Sequence, residues 1–564
     1  MAAGTGVERK DGRMRITGAE VMVKCLEEEG VTKVFGYPGG AILPFYDALR
    51  DSKLIEHILT AHEQGAAHAA DGYARASGKI GVCVATSGPG ATNLVTGLAT
   101  AFLESTPVVA ITGQVKSSLI GHDAFQEVDI TGITMPITKQ NFLVNKPEEL
   151  AQTLRLAIQI AKSGRPGPVL VDVASDVQTA MIDYHSAKLR ELKTALPDKE
   201  LLKAAAAALN GAQRPLLLVG GGAIISGAEY EAAHLCEKLR LPVASTLMGL
   251  GCISAYRDAF LGMSGLHGHE RANRAIAAAD VILAVGTRFN DRVTGDRNKY
   301  SAHKTIIHLD IDPAELSKNI ASGLDIAGDI RAALSFLDKA CQKRDLSKWW
   351  EQIMAWPGAD EDYGNNSAPL FIKALNPLLK GKDYIVATDV GQHQMFTAQH
   401  LKIEYGRQLV TSGGLGTMGF GLPAAMGAKL ARPDAKVICI SGDGGFKMTG
   451  SELFTLASNK IPVVVVIFNN SGLGMIRQLQ TTGYNKRFMA CECPGYVDFV
   501  KYGAAFGLPG EHVATPEELA KAVAKGMALD TAYIIEAAID PRDMVVPMVA
   551  YGKGVDEFIE GLGR

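Results

Sequence analysis

The stretch SGDGGFKMTGSELFTLASNKIPVVVVIFNNSGLGM, from Ser441 to Met475, constrains the fold of this chain more than any other. KVICI just before it reads as a short buried strand, GSELFTLASNK has helical spacing, and IPVVVVIF is a second, β-branched strand. A strand–helix–strand unit of this length makes the two strands parallel and joins them right-handedly. Asp443 and Asn470 then sit just past the carboxyl ends of strands in one sheet, the edge where open α/β sheets bind ligands. Such polar residues are unfavourable at the ends of buried strands unless something binds them. A carboxylate, an amide oxygen and glycine-rich backbone converging there suit a hard cation that holds phosphate oxygens, as Mg2+ commonly does.

The same strand–helix alternation extends over the whole chain. Its 564 residues exceed what one core can hold. The predicted fold class is α/β, with three doubly wound parallel-sheet domains at 14–183, 198–342 and 368–545, followed by a tail at 546–564. KVFGYPG, GVCVATSGPG, PVVAITG and PVLVDV read as strands of the first block. PLLLVGGG, LPVASTL, VILAVGTRF and TIIHLDID read as strands of the second, and DYIVATDVG, KVICISGDGG, PVVVVIFNN and AYIIEAAID as strands of the third. YHSAKLRELKTALPDKE and QKRDLSKWWEQIMAWPGADEDYGNNSAP read as polar links, and the first fifteen residues as a frayed start. The tail is a candidate to pack back over a site. A net charge of -3 gives no bulk electrostatic case for nucleic acid or an anionic membrane, and no apolar run is long enough to span a bilayer. Eight scattered cysteines with no secretory signal ahead of them point to reduced thiols in a cytoplasm.

GDG followed by NN at this distance resembles the signature of thiamine diphosphate-dependent enzymes. The resemblance implies that Asp443, Asn470 and the carbonyl of Gly472 hold Mg2+, with Gly442 and Gly444 against the diphosphate. Gly391, Gln392 and His393 in DVGQHQMF match the family's diphosphate loop. Met418, in TSGGLGTMGFGLPAAMGAKLA, matches the apolar residue that supports the bent cofactor; on its own it is an ordinary core residue. Glu63 sits in the Ala/Gly-rich stretch HEQGAAHAADGYARASGK. Alone it reads as a surface or helix-start carboxylate. By resemblance it is the glutamate that hydrogen-bonds the aminopyrimidine and activates the cofactor. In these families that glutamate and the diphosphate site come from different subunits, which implies a homodimer or homotetramer.

The middle block narrows the family. VGGG at Val219–Gly222 alone is a weak dinucleotide signal, but STLMGLG, GLHG, VGTRFNDRVTG, HLDIDPAEL and AGDI follow it in order. The series resembles the FAD-binding domain of acetohydroxyacid synthase (acetolactate synthase) catalytic subunits. It implies a structural flavin held by Arg165, Gly221, Gly222, Thr246, Leu247, His267, Arg288, Asp310 and Asp329. FGYPGGAILPFYDAL, IGHDAFQEVDITGITMPITK and MVVPMV extend the resemblance over nearly the whole chain. Within it, Gly40 and Gln126 lie near the reacting carbons, and Arg292 meets the second substrate's carboxylate with a guanidinium fork. Without it, Arg292 reads equally as a surface ion-pair residue, and Lys139 of ITK as an exposed lysine.

The implied reaction decarboxylates pyruvate and joins the hydroxyethyl unit to a second 2-ketoacid, pyruvate or 2-ketobutyrate, in branched-chain amino acid biosynthesis. A separate small regulatory subunit is common in the family. Three alternatives stay open: a pyruvate oxidase using both cofactors, a different 2-ketoacid carboligase, and a non-catalytic cofactor-binding protein. Two positions depart from the pattern. Leu479 in GMIRQLQ stands where the family has a tryptophan shaping the 2-ketobutyrate pocket, and Ser175 stands where it has a lysine lining the access channel. Cys491 and Cys493 form CEC in a segment expected to be mobile, read as two reduced thiols or as a metal or redox pair.

Overall fold

The computed structural model describes residues 7–8, 14–187, 189, 192–358, 367–493, 495 and 497–559. Most of the start read as frayed, parts of both polar links and the last five residues of the tail lie outside them.

Three six-stranded parallel sheets form the frame. The first holds β1 (Lys33–Gly36), β2 (Glu56–Leu59), β3 (Gly81–Ala85), β4 (Val108–Gln114), β5 (Gln140–Val144) and β6 (Val169–Ala174), in the order β2-β1-β3-β4-β6-β5. The second holds β7 (Pro215–Val219), β8 (Val243–Ser245), β9 (Phe260–Met263), β10 (Val281–Val285), β11 (Thr305–Asp310) and β12 (Leu324–Ala327), in the order β9-β8-β7-β10-β11-β12. The third holds β13 (Tyr384–Thr388), β14 (Leu409–Thr411), β15 (Lys436–Gly442), β16 (Val463–Asn469), β17 (Gly510–Val513) and β18 (Tyr533–Ala538), in the order β14-β13-β15-β16-β18-β17. The first and third sheets share one topology. The second has the strand order typical of dinucleotide-binding sheets.

The interior strands are continuous apolar runs because helices cover both faces. The linker reading of 342–369 fails in its first half. Ser347–Met354 is a helix whose Trp349 and Ile353 are buried against the second sheet, and Trp349 Nε1 donates to Pro215 O at 3.0 Å. Its charged flanks face solvent, and only one apolar stripe betrays it.

The first and third sheets pack on each other through two helices, α1 (Glu63–Ser77) and α2 (Gly421–Ala431). Ala66, Ala69, Ala70 and Tyr73 of α1 join Leu422, Ala424, Ala425 and Met426 of α2 in one core. The crossing is close enough to demand glycine. A Cβ on Gly427 would overlap the backbone of Ala69, and one on Gly72 that of Ala424. Gly427→Ala is therefore expected to destabilise by about 3 kcal/mol, measured as a lower urea midpoint, since backbone atoms cannot turn aside as a side chain can. The tail folds back over the second sheet: Val549 N donates to Leu266 O at 2.8 Å, and Met548, Val549 and Val555 are buried. No helix among the described residues is long and apolar enough to cross a membrane.

Candidate active site

In the third sheet the chain reverses winding between β13 and β15, and the site lies at their carboxyl ends. Asp443 opens the helix Asp443–Thr449, is 2% exposed, and has Lys447 Nζ at 3.3 Å. Burial raises its carboxyl pKa, with Lys447 opposing. After β16, Asn470 Oδ1 accepts from Gly472 N at 3.1 Å, so the two bend toward each other. A carboxylate, an amide oxygen and a backbone carbonyl are the hard donors that Mg2+ takes. CEC is not loose: Leu473 N donates to Cys491 O at 2.7 Å, Glu492 pairs with Gly472, and Cys491 is buried behind the turn.

His393 lies buried in the first turn of the helix Gln392–His400 that follows β13. A Cβ on Gly442 would come within 2.8 Å of its Nδ1, and one on Gly391 within 3.0 Å of its Cε1, so two glycines make room for the ring. Burial pushes its pKa down to about 4, leaving it neutral, and its Nε2 has no partner. An unpartnered buried ring nitrogen beside Gly442 and Gly391 fits a phosphate-bearing ligand. Gln392 is committed elsewhere, donating to Gln478 Oε1 at 2.9 Å and Asp543 O at 2.8 Å. Met418 reaches the glycines of the GDG turn, its Cε 3.6 Å from where a Cβ on Gly444 would stand.

Asp389 was missed by sequence reasoning. Its carboxylate accepts from Gly419 N and Gly421 N, each at 3.0 Å, and from Val390 N at 2.8 Å. It thereby ties the Met418 loop to β13, and burial pushes its pKa up to about 6. The signal was present: an Asp just past an apolar strand, as at Asp443.

The first sheet carries the second group. Glu63 is the first residue of α1 and 9% exposed. Asn93 Nδ2 donates to Glu63 Oε2 at 2.9 Å, which leaves Oε1 free beside Gly90, where a Cβ would stand 3.2 Å away. Gln126 adopts a left-handed backbone, φ 59°, over Gly88, where a Cβ would lie 2.8 Å from Gln126 O. A Cβ on Gly40 would meet open space. Lys139 is not an exposed lysine. Its Nζ donates to Ile160 O and to Ser163 O at 2.7 Å, closing the carboxyl end of the helix Leu150–Lys162, and burial lowers its pKa to about 8.

A cavity of about 970 Å3 opens at the carboxyl ends of the second sheet. Arg165, Gly221, Gly222, Thr246, Leu247, His267, Arg288, Asp310 and Asp329 all line it. Gly222 packs on the backbone of Gly286, with a Cβ 2.7 Å from Gly286 Cα. His267 Nδ1 is buried without a partner, and burial lowers that ring's pKa to about 4. The polar lining, the close glycine backbone and the strand order fit a dinucleotide. Arg165 and Asp329 also serve the scaffold: Arg165 pairs with Glu315 at 2.7 Å, and Asp329 caps the next helix through Ala332 N at 2.9 Å. Glu104, from the first block, lines the cavity too, with Oε2 buried and unpartnered, and went unnoticed in the sequence.

Gly391, Leu479 and Arg292 line the same cavity, so it reaches the diphosphate loop. Arg292 is half exposed, with its guanidinium 5.5 Å from the Tyr551 ring of the tail. Glu63, Gly40, Gln126, Asp443, Asn470 and Gly472 lie outside this lining.

Comparison with known proteins identifies the family. Residues 16–133 match the thiamine pyrophosphate enzyme N-terminal TPP binding domain, 202–337 the central domain, and 389–537 the C-terminal TPP binding domain. A probable acetolactate synthase large subunit of Methanocaldococcus jannaschii is 46% identical, covering 96% of this chain and 95% of its own. The acetolactate synthase isozyme 2 large subunit of Escherichia coli is 44% identical over 97% of this chain and 100% of its own. The acetolactate synthase large subunit of Haemophilus influenzae is 42% identical over 97% and 98%. Three domain matches in order and end-to-end similarity place the chain in the thiamine pyrophosphate enzyme family, among the acetolactate synthase large subunits.

Proposed function

We propose that this chain is a thiamine diphosphate-dependent acetolactate synthase that takes pyruvate as donor and pyruvate or 2-ketobutyrate as acceptor, with Mg2+ and FAD as further cofactors. The observation that carries the reading is the oxygen donor set of Asp443, Asn470 and Gly472 beside the unpartnered His393 Nε2, in a chain of this family. Bound thiamine diphosphate supplies the carbanion and electron sink that a 2-ketoacid needs to lose carbon dioxide.

The chain's own residues hold and orient. Asp443 brings the negative charge that retains Mg2+, and Asn470 and Gly472 complete its protein donors. Glu63 exchanges a proton at Oε1, the oxygen that Asn93 leaves free. Gln126, held in a left-handed backbone, would meet the reacting carbons, and Gly40 would leave them room. Arg292 receives the acceptor's carboxylate; its lack of a tight ion pair, with Asp291 no nearer than 3.9 Å, leaves the fork available. The nine lining residues of the second-sheet cavity would hold FAD, as scaffold rather than redox centre.

A second copy would complete each site. Phe125 and Met135 near Gln126, and Tyr484 and Met489 past the Asn470 turn, are large apolar side chains 67–87% exposed, as an interface left open would have them. The relatives are named large subunits, which supports a separate small subunit as partner.

Acetolactate formation from pyruvate alone, with each cofactor omitted in turn and oxygen uptake followed, tests the reading. Acetolactate that requires thiamine diphosphate and Mg2+ without oxygen uptake is expected. Acetate with oxygen uptake would instead assign the flavin a redox role. Leu479 and Arg292 line the same cavity, and Leu479 offers less bulk there than an aromatic wall. The wild-type chain is expected to show weak 2-ketobutyrate preference in competition, and Leu479→Trp to raise that preference about tenfold.

A further inference from the structure

Glu452 is a 1%-exposed carboxylate that the proposed mechanism does not use. It lies nine residues along from Asp443, at the end of the turn Gly450–Glu452 that follows the Asp443–Thr449 helix. Two of its three hydrogen bonds come from the other domain. Glu452 Oε1 accepts from His62 N at 3.2 Å, and Oε2 from Ala61 N at 3.1 Å. Thr455 Oγ1 adds a third bond to Oε2 at 2.7 Å. Ala61 and His62 are the two residues directly before Glu63. His62 is the cap of α1, and its Nδ1 accepts from Gln64 N at 3.1 Å. The fit is tight on the helix side too: a Cβ on Gly65 would overlap Glu452 Oε1.

A buried carboxylate is strongly disfavoured unless its lone pairs are met. Here two backbone N–H groups of a foreign helix start meet them. The carboxylate in turn fixes where that start can lie, because both N–H groups must reach oxygens of one rigid planar group. Glu63 begins on the very next residue, and its own anchor is the single bond from Asn93.

We propose that Glu452 is a positioning residue that sets the place of Glu63 through the two N–H groups just before it. The proposal rests on Glu63 as the activating acid. A misplacement of such a group by about 1 Å costs a rate factor on the order of 100.

The test uses the full-length protein. Glu452→Gln keeps size but presents only one acceptor where two backbone N–H groups need one each. Gly65→Ala leaves the carboxylate and pushes it off the helix start. Three readouts separate the possibilities: amide hydrogen exchange at Ala61–Ala66 without cofactor, affinity for thiamine diphosphate and Mg2+ by calorimetry, and hydrogen–deuterium exchange at the reactive carbon of bound thiamine diphosphate. Both variants are expected to speed amide exchange at Ala61–Ala66 and to slow the carbon exchange roughly 10- to 100-fold, with cofactor affinity within about threefold. The double variant Glu63→Gln/Glu452→Gln is expected to be no slower than Glu63→Gln alone, because Glu452 acts through Glu63. Wild-type carbon exchange in Glu452→Gln overturns the proposal. So does a loss that merely follows reduced cofactor occupancy, or an additive double variant. If Glu63→Gln itself leaves carbon exchange unchanged, the role given to Glu63 fails, which is a separate result.

Discussion

Glu63→Gln is expected to lower turnover by about 1,000-fold while unfolding midpoint and flavin binding stay unchanged. The substitution preserves volume in a buried setting. Asn93 Nδ2 can still donate to the remaining amide oxygen, so the contact at 2.9 Å need not break. The other atom becomes an NH2 group at the place of Oε1, next to Gly90, and it cannot take or return a proton. Neither α1 nor its crossing with α2 depends on Glu63, since that packing runs through Ala66, Ala69, Gly72 and Tyr73. Steady-state acetolactate formation together with thermal unfolding checks both halves. Near-normal turnover would remove Glu63 from the mechanism.

In the three six-stranded sheets the twelve strands legible in the sequence are the interior strands, and the six that were not are the edges, β2, β5, β9, β12, β14 and β17; the short antiparallel strands Val7–Glu8, Met14–Thr17 and Met181–Tyr184 also went unread. The reason is physical. An interior parallel strand is covered on both faces and reads as an unbroken apolar run, as in PVVVVIF. An edge strand is short and half exposed, as in EHIL or GEHV, and its pattern is that of a loop. The winding order of the sheets, which rests on those edges, was therefore out of reach, although the parallel doubly wound class was not.

The site divides in a similar way. Short-range motifs were legible because their chemistry is local: GDG and NN each sit at the end of one strand, and the cavity collects eight of the nine residues expected around a flavin from the six strand ends of the second sheet, with Arg165 entering from the first block. Residues that act over long sequence distances were not. Asp389, Glu104 and Glu452 each bind backbone N–H groups of distant segments, at Gly419 and Gly421, at Gly414, and at Ala61 and His62. Nothing in their own neighbourhood announces a partner 30 to 391 positions away. Lys139 shows the opposite error. It was read as equally a match to ITK or an exposed lysine, and the second reading failed because it closes a helix end from the inside.

Asp443→Ala is expected to reduce Mg2+ affinity at least about 100-fold, and thiamine diphosphate affinity with it. The carboxylate is the only formal negative charge among the three donors assigned to the ion; the Asn470 amide and the Gly472 carbonyl are dipoles. Removing it also leaves Lys447 Nζ, now 3.3 Å from Asp443, as an uncompensated positive charge beside the position the ion would take. A diphosphate held through the metal then loses its bridge, and Lys447 can replace it only as a point charge without octahedral geometry. The flavin cavity supplies an internal control, because none of its lining residues is Asp443, Asn470 or Gly472. Calorimetric titration of Mg2+ and thiamine diphosphate, with flavin absorbance read on the same sample, separates a lost metal site from a damaged fold: retained flavin with lost metal affinity is the expected result, and unchanged metal affinity would move the ion to other donors.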